Sequence, residues 1–149
     1  MYSDAPGISS HITGGSNSIN VTIRNNEINE SAYLVYFSGD SQNLRFINNT
    51  LTCGASGTHG LILQNTVNSL VENNTIKDCQ GYGNNLNLHT SFDGLIVNNN
   101  IFDGCSNAYG CIRFTTSGSD AVIKNNLFTN SSNAEGITDT GSTVDNVTI

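Results

Sequence analysis

The chain has no tryptophan, one proline and only five lysines and arginines in 149 residues. Basic side chains are outnumbered by twelve acidic ones, and the net charge is −7. A nucleic-acid partner needs a basic stripe to meet the phosphate backbone, so none is expected. Anionic membrane surfaces are disfavoured for the same reason. No apolar run approaches the roughly 18 residues of a membrane span, so membrane insertion is not expected either. The start, MYSDAPG, shows neither a basic n-region nor an apolar h-region. No stretch keeps the i, i+3, i+4, i+7 apolar spacing of an amphipathic helix. Cys-x-x-Cys and zinc-type spacings are missing too, and His59, six residues after Cys53, makes a poor metal ligand set.

What remains is a chain rich in Gly, Ser, Thr and Asn, the residues of tight turns. It repeats one phrase five times: VTIRNNEI from Val21, LRFINNTL from Leu44, SLVENNTI from Ser69, GLIVNNNI from Gly94 and AVIKNNLF from Ala121. A sixth copy begins at Val147. Taking the first Asn of each pair, the positions are Asn25, Asn48, Asn73, Asn98 and Asn125. A fixed period of about 25 residues is the mark of a repeat architecture. Each period holds three short strands. The first centres on Ile23, Phe46, Val71, Ile96 and Ile123, and the second on Ile28, Leu51, Ile76, Ile101 and Phe128. The third reads LVYFS, LILQ, LNLHT, IRFTT and ITDT. Three strands and three turns make one coil of a parallel β-solenoid, which buries its apolar face only by stacking on its neighbours. The expectation is an all-β parallel helix of about five to six coils over residues 1–149, a segment of a longer solenoid. Stacked amides of Asn25, Asn48, Asn73, Asn98 and Asn125 would form a ladder along one turn, each giving and taking hydrogen bonds between coils.

The repeated phrase, with Gly-Leu-Ile-Leu in the strand that follows, resembles the right-handed parallel β-helix repeat of the pectin-lyase-like superfamily. The Asn-rich, low-charge flavour is also similar to archaeal disaggregatase-type surface β-helix proteins. That superfamily includes polysaccharide lyases, glycoside hydrolases of the polygalacturonase type, alginate epimerases, phage tailspike depolymerases and non-catalytic surface proteins. The resemblance implies a secreted or cell-surface, polysaccharide-engaging protein. The expected function is part of a carbohydrate-active enzyme, a lyase or hydrolase, and the alternative is a structural or adhesive rod. No cofactor is evident in the residues; calcium is implied by the resemblance alone. The lyases' acidic calcium ligands and the hydrolases' clustered Asp, His, Arg and Lys motifs find no match. Thr58-His59-Gly60 lacks the first Gly of the hydrolase Gly-His-Gly phrase.

One outward stripe stands out. If Leu61, Leu86, Ile112 and Ile137 point inward, alternation turns Ile62, Asn87, Arg113 and Thr138 outward, followed by Gln64, His89, Thr115 and Thr140. His89 and Arg113 are the candidate catalytic residues, and Asn87 and Thr115 candidate substrate contacts. Tyr82, Tyr109 and Asp93 would border the face. A solvated face is the competing reading, since exposed polar residues need no special explanation. Asp139 falls in an inward column and is expected to be exposed by an incomplete last coil. Cys53, Cys79 and Cys105 recur once per coil. They read either as stacked buried thiols or, for Cys105 with Cys111, as a disulfide. Self-association through the solenoid ends or flanks is a further expectation.

Overall fold

The structure, a computed structural model, describes residues 12–14, 17–29, 33–54, 59–79, 84–105, 109–115, 117–131, 136–140, 144–146 and 148. Three parallel sheets wrap around one apolar interior. The first stacks Thr22–Arg24, Arg45–Ile47, Leu70–Glu72, Ile96–Asn98 and Val122–Lys124. The second stacks Glu27–Asn29, Thr50–Thr52, Thr75–Lys77, Ile101–Asp103 and Leu127–Thr129. The third runs through Ile12–Gly14, Tyr33–Phe37, His59–Val67, Leu86–Asp93, Ile112–Phe114 and Ile137–Asp139. Every pairing between strands is parallel, which is what a chain that advances one coil at a time must produce.

Each three-residue strand of the first two sheets buries only its middle residue, except Leu127–Thr129, whose Phe128 is half-buried. Ile23, Phe46, Val71, Val97 and Ile123 line the interior from the first sheet, and Ile28, Leu51, Ile76 and Phe102 from the second. Two expected core positions are therefore corrected. Ile96 and Ile101 are 41% and 39% exposed, and Val97 and Phe102 take their places. A one-residue slip in a strand sends every side chain to the other face. The slip arose at the triplet Asn98-Asn99-Asn100, which permits two alignments.

The amide ladder needs the same correction. Asn25, Asn48, Asn73, Asn99 and Asn125 lie at φ of 55° to 57°, exposed to solvent. Their role is conformational, because Asn tolerates the left-handed region at a sharp turn better than other residues with a Cβ. The ladder is the next residue: Asn26, Asn49, Asn74 and Asn100, all buried, and the half-buried Asn126. Backbone N and Nδ2 of Asn49 both donate to Asn74 Oδ1, at 2.9 and 3.0 Å. Asn74 repeats this onto Asn100, and Asn100 onto Asn126. From Asn49 onward each Nδ2 also reaches a carbonyl of the preceding coil, as Asn74 does to Phe46 O at 2.9 Å. Asn98 is instead a strand residue whose Nδ2 donates to Glu72 Oε1.

The cysteines are not free thiols. Cys53–Cys79 ties successive coils together, and Cys105–Cys111 closes a short loop before the third sheet. The first pairing was not foreseen, because one cysteine per coil looked like a column of buried apolar residues. Its closure spans a sequence separation of 26. Replacing Cys53 and Cys79 together by Ala is expected to lower stability by about 2–3 kcal/mol, read from urea unfolding.

A candidate binding cleft on the third sheet

The third sheet carries the longest strands, His59–Val67 and Leu86–Asp93, so it offers the broadest outer face. Strand pairing sets its columns. Leu61, Leu86, Ile112 and Ile137 align, as do Ile62, Asn87, Arg113 and Thr138. His89 aligns with Gln64. The inward column packs in the core while the outer column lines a cleft of about 470 Å³. Its walls are Tyr36, His59, Ile62, Gln64, Asn87, His89, Arg113 and Thr115.

Asn87, His89, Arg113 and Thr115, singled out from sequence, thus share one cavity. Tyr109 borders it through Arg113, whose guanidinium lies 4.0 Å from the Tyr109 ring centroid. Asp93 does not reach the cleft. It sits beyond a bulge, where it pairs with Val67 and accepts a hydrogen bond from Ser119 Oγ at 3.0 Å. Tyr82 lies outside the described residues. Asp139 is exposed at the last coil, opposite Phe114.

Two wall residues, Tyr36 and His59, were missed in the sequence, and Ile62 and Gln64 were placed on the outward stripe without a role. Tyr36 and Gln64 come from neighbouring coils and join through a 2.8 Å hydrogen bond from Tyr36 Oη to Gln64 Oε1. Ile62 is buried against the outer face rather than the core, and makes the apolar floor. His59 was weighed only as part of a motif. Alternation counted back from Leu61 would turn it inward; the break at Gly60, where an added Cβ would meet Ile76 and Cys79 in the interior, is what turns His59 out, and no sequence signal shows it.

The bulge shapes the cleft. Thr90 and Ser91 lie opposite the single residue Asn65, and the register shifts between His89 and Phe92. Thr90 is at φ 81°, an outlier for a β-branched residue. Its Oγ1 meets His89 Nδ1 at 3.0 Å and Ser91 Oγ donates to Asn65 Oδ1 at 2.9 Å. Backbone strain of this kind concentrates where a side chain must be aimed.

The electrostatics run against the whole protein. In a chain of net charge −7, no Asp or Glu is among the described residues that line the cleft, while Arg113, His59 and His89 are. Burial, then the positive charge of Arg113, then His89, push the His59 pKa from 6.5 down to about 4. Its Nδ1 accepts a 3.0 Å hydrogen bond from the Asn84 backbone N–H, which fixes the proton of the neutral ring on Nε2. A histidine with a depressed pKa binds more protons unfolded than folded between those two values. Stability is therefore full above about pH 6.5 and falls as pH drops toward about 4. His59→Asn keeps an acceptor for Asn84. It is expected to flatten melting temperature against pH in that window, checked by calorimetry at half-unit intervals.

Among the described residues, no group of three or more His, Cys, Asp or Glu side chains could hold a metal ion. No described helix is long and apolar enough to cross a membrane.

These features define a parallel solenoid with a lateral, cationic cleft. The chain belongs to the right-handed β-helix family, which it matches over residues 4–149. No curated protein and no solved structure matches it.

Proposed function

We propose that the protein is an extracellular β-helix that engages an acidic polysaccharide along the third sheet, with the cleft holding one sugar unit. The observation that carries this reading is the lining: Arg113 and two histidines, with no described carboxylate, on an acidic protein. Such a site attracts an anion that the rest of the surface repels. Arg113 stacks its face on Tyr109 and donates Nε to Thr140 Oγ1 at 3.4 Å, while its two Nη groups make no hydrogen bond to a described residue. That leaves a fork suited to a carboxylate or sulfate. Tyr36, with the Ile62 floor, offers aromatic and apolar surface to a sugar ring, and Gln64, Asn87 and Thr115 offer polar atoms to its hydroxyls. Two disulfides fit a compartment where thiols stay oxidised, in keeping with secretion or display on a cell surface.

Among cleavage chemistries, the cleft suits β-elimination better than hydrolysis. Glycoside hydrolysis uses two carboxylates roughly 5–9.5 Å apart, and no described carboxylate lines the cleft. Elimination needs a cation on the uronate carboxylate and a base for the adjacent carbon acid. Arg113 fits the first role, and a cleft imidazole fits the second. A second reading, a non-catalytic glycan-binding rod, is favoured by His59 itself, since a pKa of about 4 makes a weak base.

One experiment separates the readings. The purified chain is incubated with acidic and neutral polysaccharides, with and without calcium, and binding, new reducing ends and unsaturated-uronate absorbance are followed. The expected result is binding confined to the acidic members. Unsaturated product identifies a lyase, and binding without turnover identifies the rod. Equal binding to neutral chains, or no binding at all, defeats the proposal.

A further inference from the structure

Among the described residues that line the cleft, Asn87 alone carries a buried side-chain oxygen without a partner. It is 5% exposed, and its Oδ1 is buried without a hydrogen-bond partner. Nor does its side chain bond to any other described residue, although it lines the cleft. The neighbours that register places beside it do not help: Ile62 has nothing to donate, and Arg113 is drawn away onto Tyr109 and Thr140. The ladder amides show what this fold does with a buried Asn that serves structure. Asn74, 2% exposed, both accepts and donates. A buried acceptor left unmade costs free energy, so an amide with no structural partner that opens on a cavity points to a ligand.

We propose that Asn87 is a specificity-determining residue of the cleft. Its amide hydrogen-bonds a hydroxyl on the same sugar ring whose acid group meets Arg113. This rests on the acidic-saccharide reading above and sharpens it. Asn87 and Arg113 are directly opposed on adjacent parallel strands, about 4.8 Å apart, which is on the order of the width of a pyranose ring. One ring thus meets both side chains. The site then requires a free hydroxyl at one ring position, and it rejects a unit methylated, linked or deoxygenated there. Discrimination of this kind is steep, because the wrong ligand leaves the amide buried and unpaired.

The test uses the methyl glycosides of glucuronate and galacturonate, with analogues in which each ring hydroxyl in turn is replaced by fluorine. Affinities are measured calorimetrically on the full chain, for wild type, Asn87→Leu and Asn87→Ala. For wild type, fluorine at one position is expected to weaken binding at least tenfold. In Asn87→Leu that penalty disappears, the parent sugar binds at least tenfold more weakly, and the melting temperature rises, because an unpaired polar group has been replaced by an apolar one of similar size. A fall in melting temperature for both variants marks a structural amide and overturns the proposal. So does an unchanged fluorine penalty in Asn87→Leu. Binding of the parent sugars that survives Arg113→Ala defeats the cleft reading itself, and the proposal with it; binding lost in Arg113→Ala but untouched in Asn87→Leu defeats the proposal alone.

Discussion

Asn74→Ala is expected to lower the stability of the folded chain by about 4 kcal/mol, while Asn73→Ala, one residue earlier, costs about 1 kcal/mol. Asn74 Oδ1 accepts from both Asn49 N and Asn49 Nδ2, and its own Nδ2 donates to Phe46 O, Glu72 O and Asn100 Oδ1. Truncation strands several of these partners in an interior where Asn49, at 2% exposure, finds no water. Each buried group left unpaired costs about 1–3 kcal/mol, so two or three give the expected total. Asn73 is exposed at φ 55°, and only the left-handed conformation is at stake there. Asn73→Gly is therefore expected to be close to neutral. Urea unfolding of the three variants decides the matter. Equal losses for Asn73→Ala and Asn74→Ala would show that the ladder does not run through the second Asn.

The contrast between those neighbours also explains what the sequence could tell. The period, the three strands per coil and the parallel stacking were legible because each coil repeats the same apolar spacing and the same turn amides. The phase within the turn was not. Asn25-Asn26 and its copies present two identical residues with opposite roles, one aimed at solvent and one into the interior, and composition cannot separate them. The triplet at 98–100 then moved Ile96 and Ile101 onto the wrong face. Columns of the third sheet were easier, because Leu61, Leu86 and Ile112 anchor the alternation. That is why Asn87, His89, Arg113 and Thr115 could be placed on one face before any coordinates. Gln64 was placed in the His89 column too, but Tyr36 and His59 could not be read as their partners, since contact across coils depends on loops of unequal length. Asp93 failed for a local reason: the extra residue at Thr90-Ser91 breaks the alternation two residues before it. The Cys53–Cys79 bridge was missed because equal spacing between coils fits a stacked column and a bond equally well.

Arg113→Ala is expected to weaken binding of acidic polysaccharide about 100-fold, and to leave the melting temperature within a few degrees of wild type. The two halves of that expectation have separate physical origins. Removing one partner of a charge-assisted pair in a partly desolvated site costs about 2–5 kcal/mol, and a half-open cleft belongs at the lower end of that range. The fold draws little from the same side chain. Arg113 is half-buried, its only hydrogen bond to a described residue is the 3.4 Å contact to Thr140, and its other tie is the stack on Tyr109. Arg113→Lys separates charge from shape. A lysine keeps the positive charge but loses the planar fork and most of the stacking. It is expected to recover less than a tenth of the lost affinity. Full recovery by lysine would mean that the cleft is only a point of positive potential, and the case for one ordered sugar unit would fall. Loss of affinity for both variants, with neutral polysaccharides still unbound, would tie recognition to the geometry that the Cys105–Cys111 loop imposes. Tyr109 lies inside that loop and Arg113 two residues beyond it, so the covalent closure and the stack on Tyr109 together fix where the guanidinium fork sits.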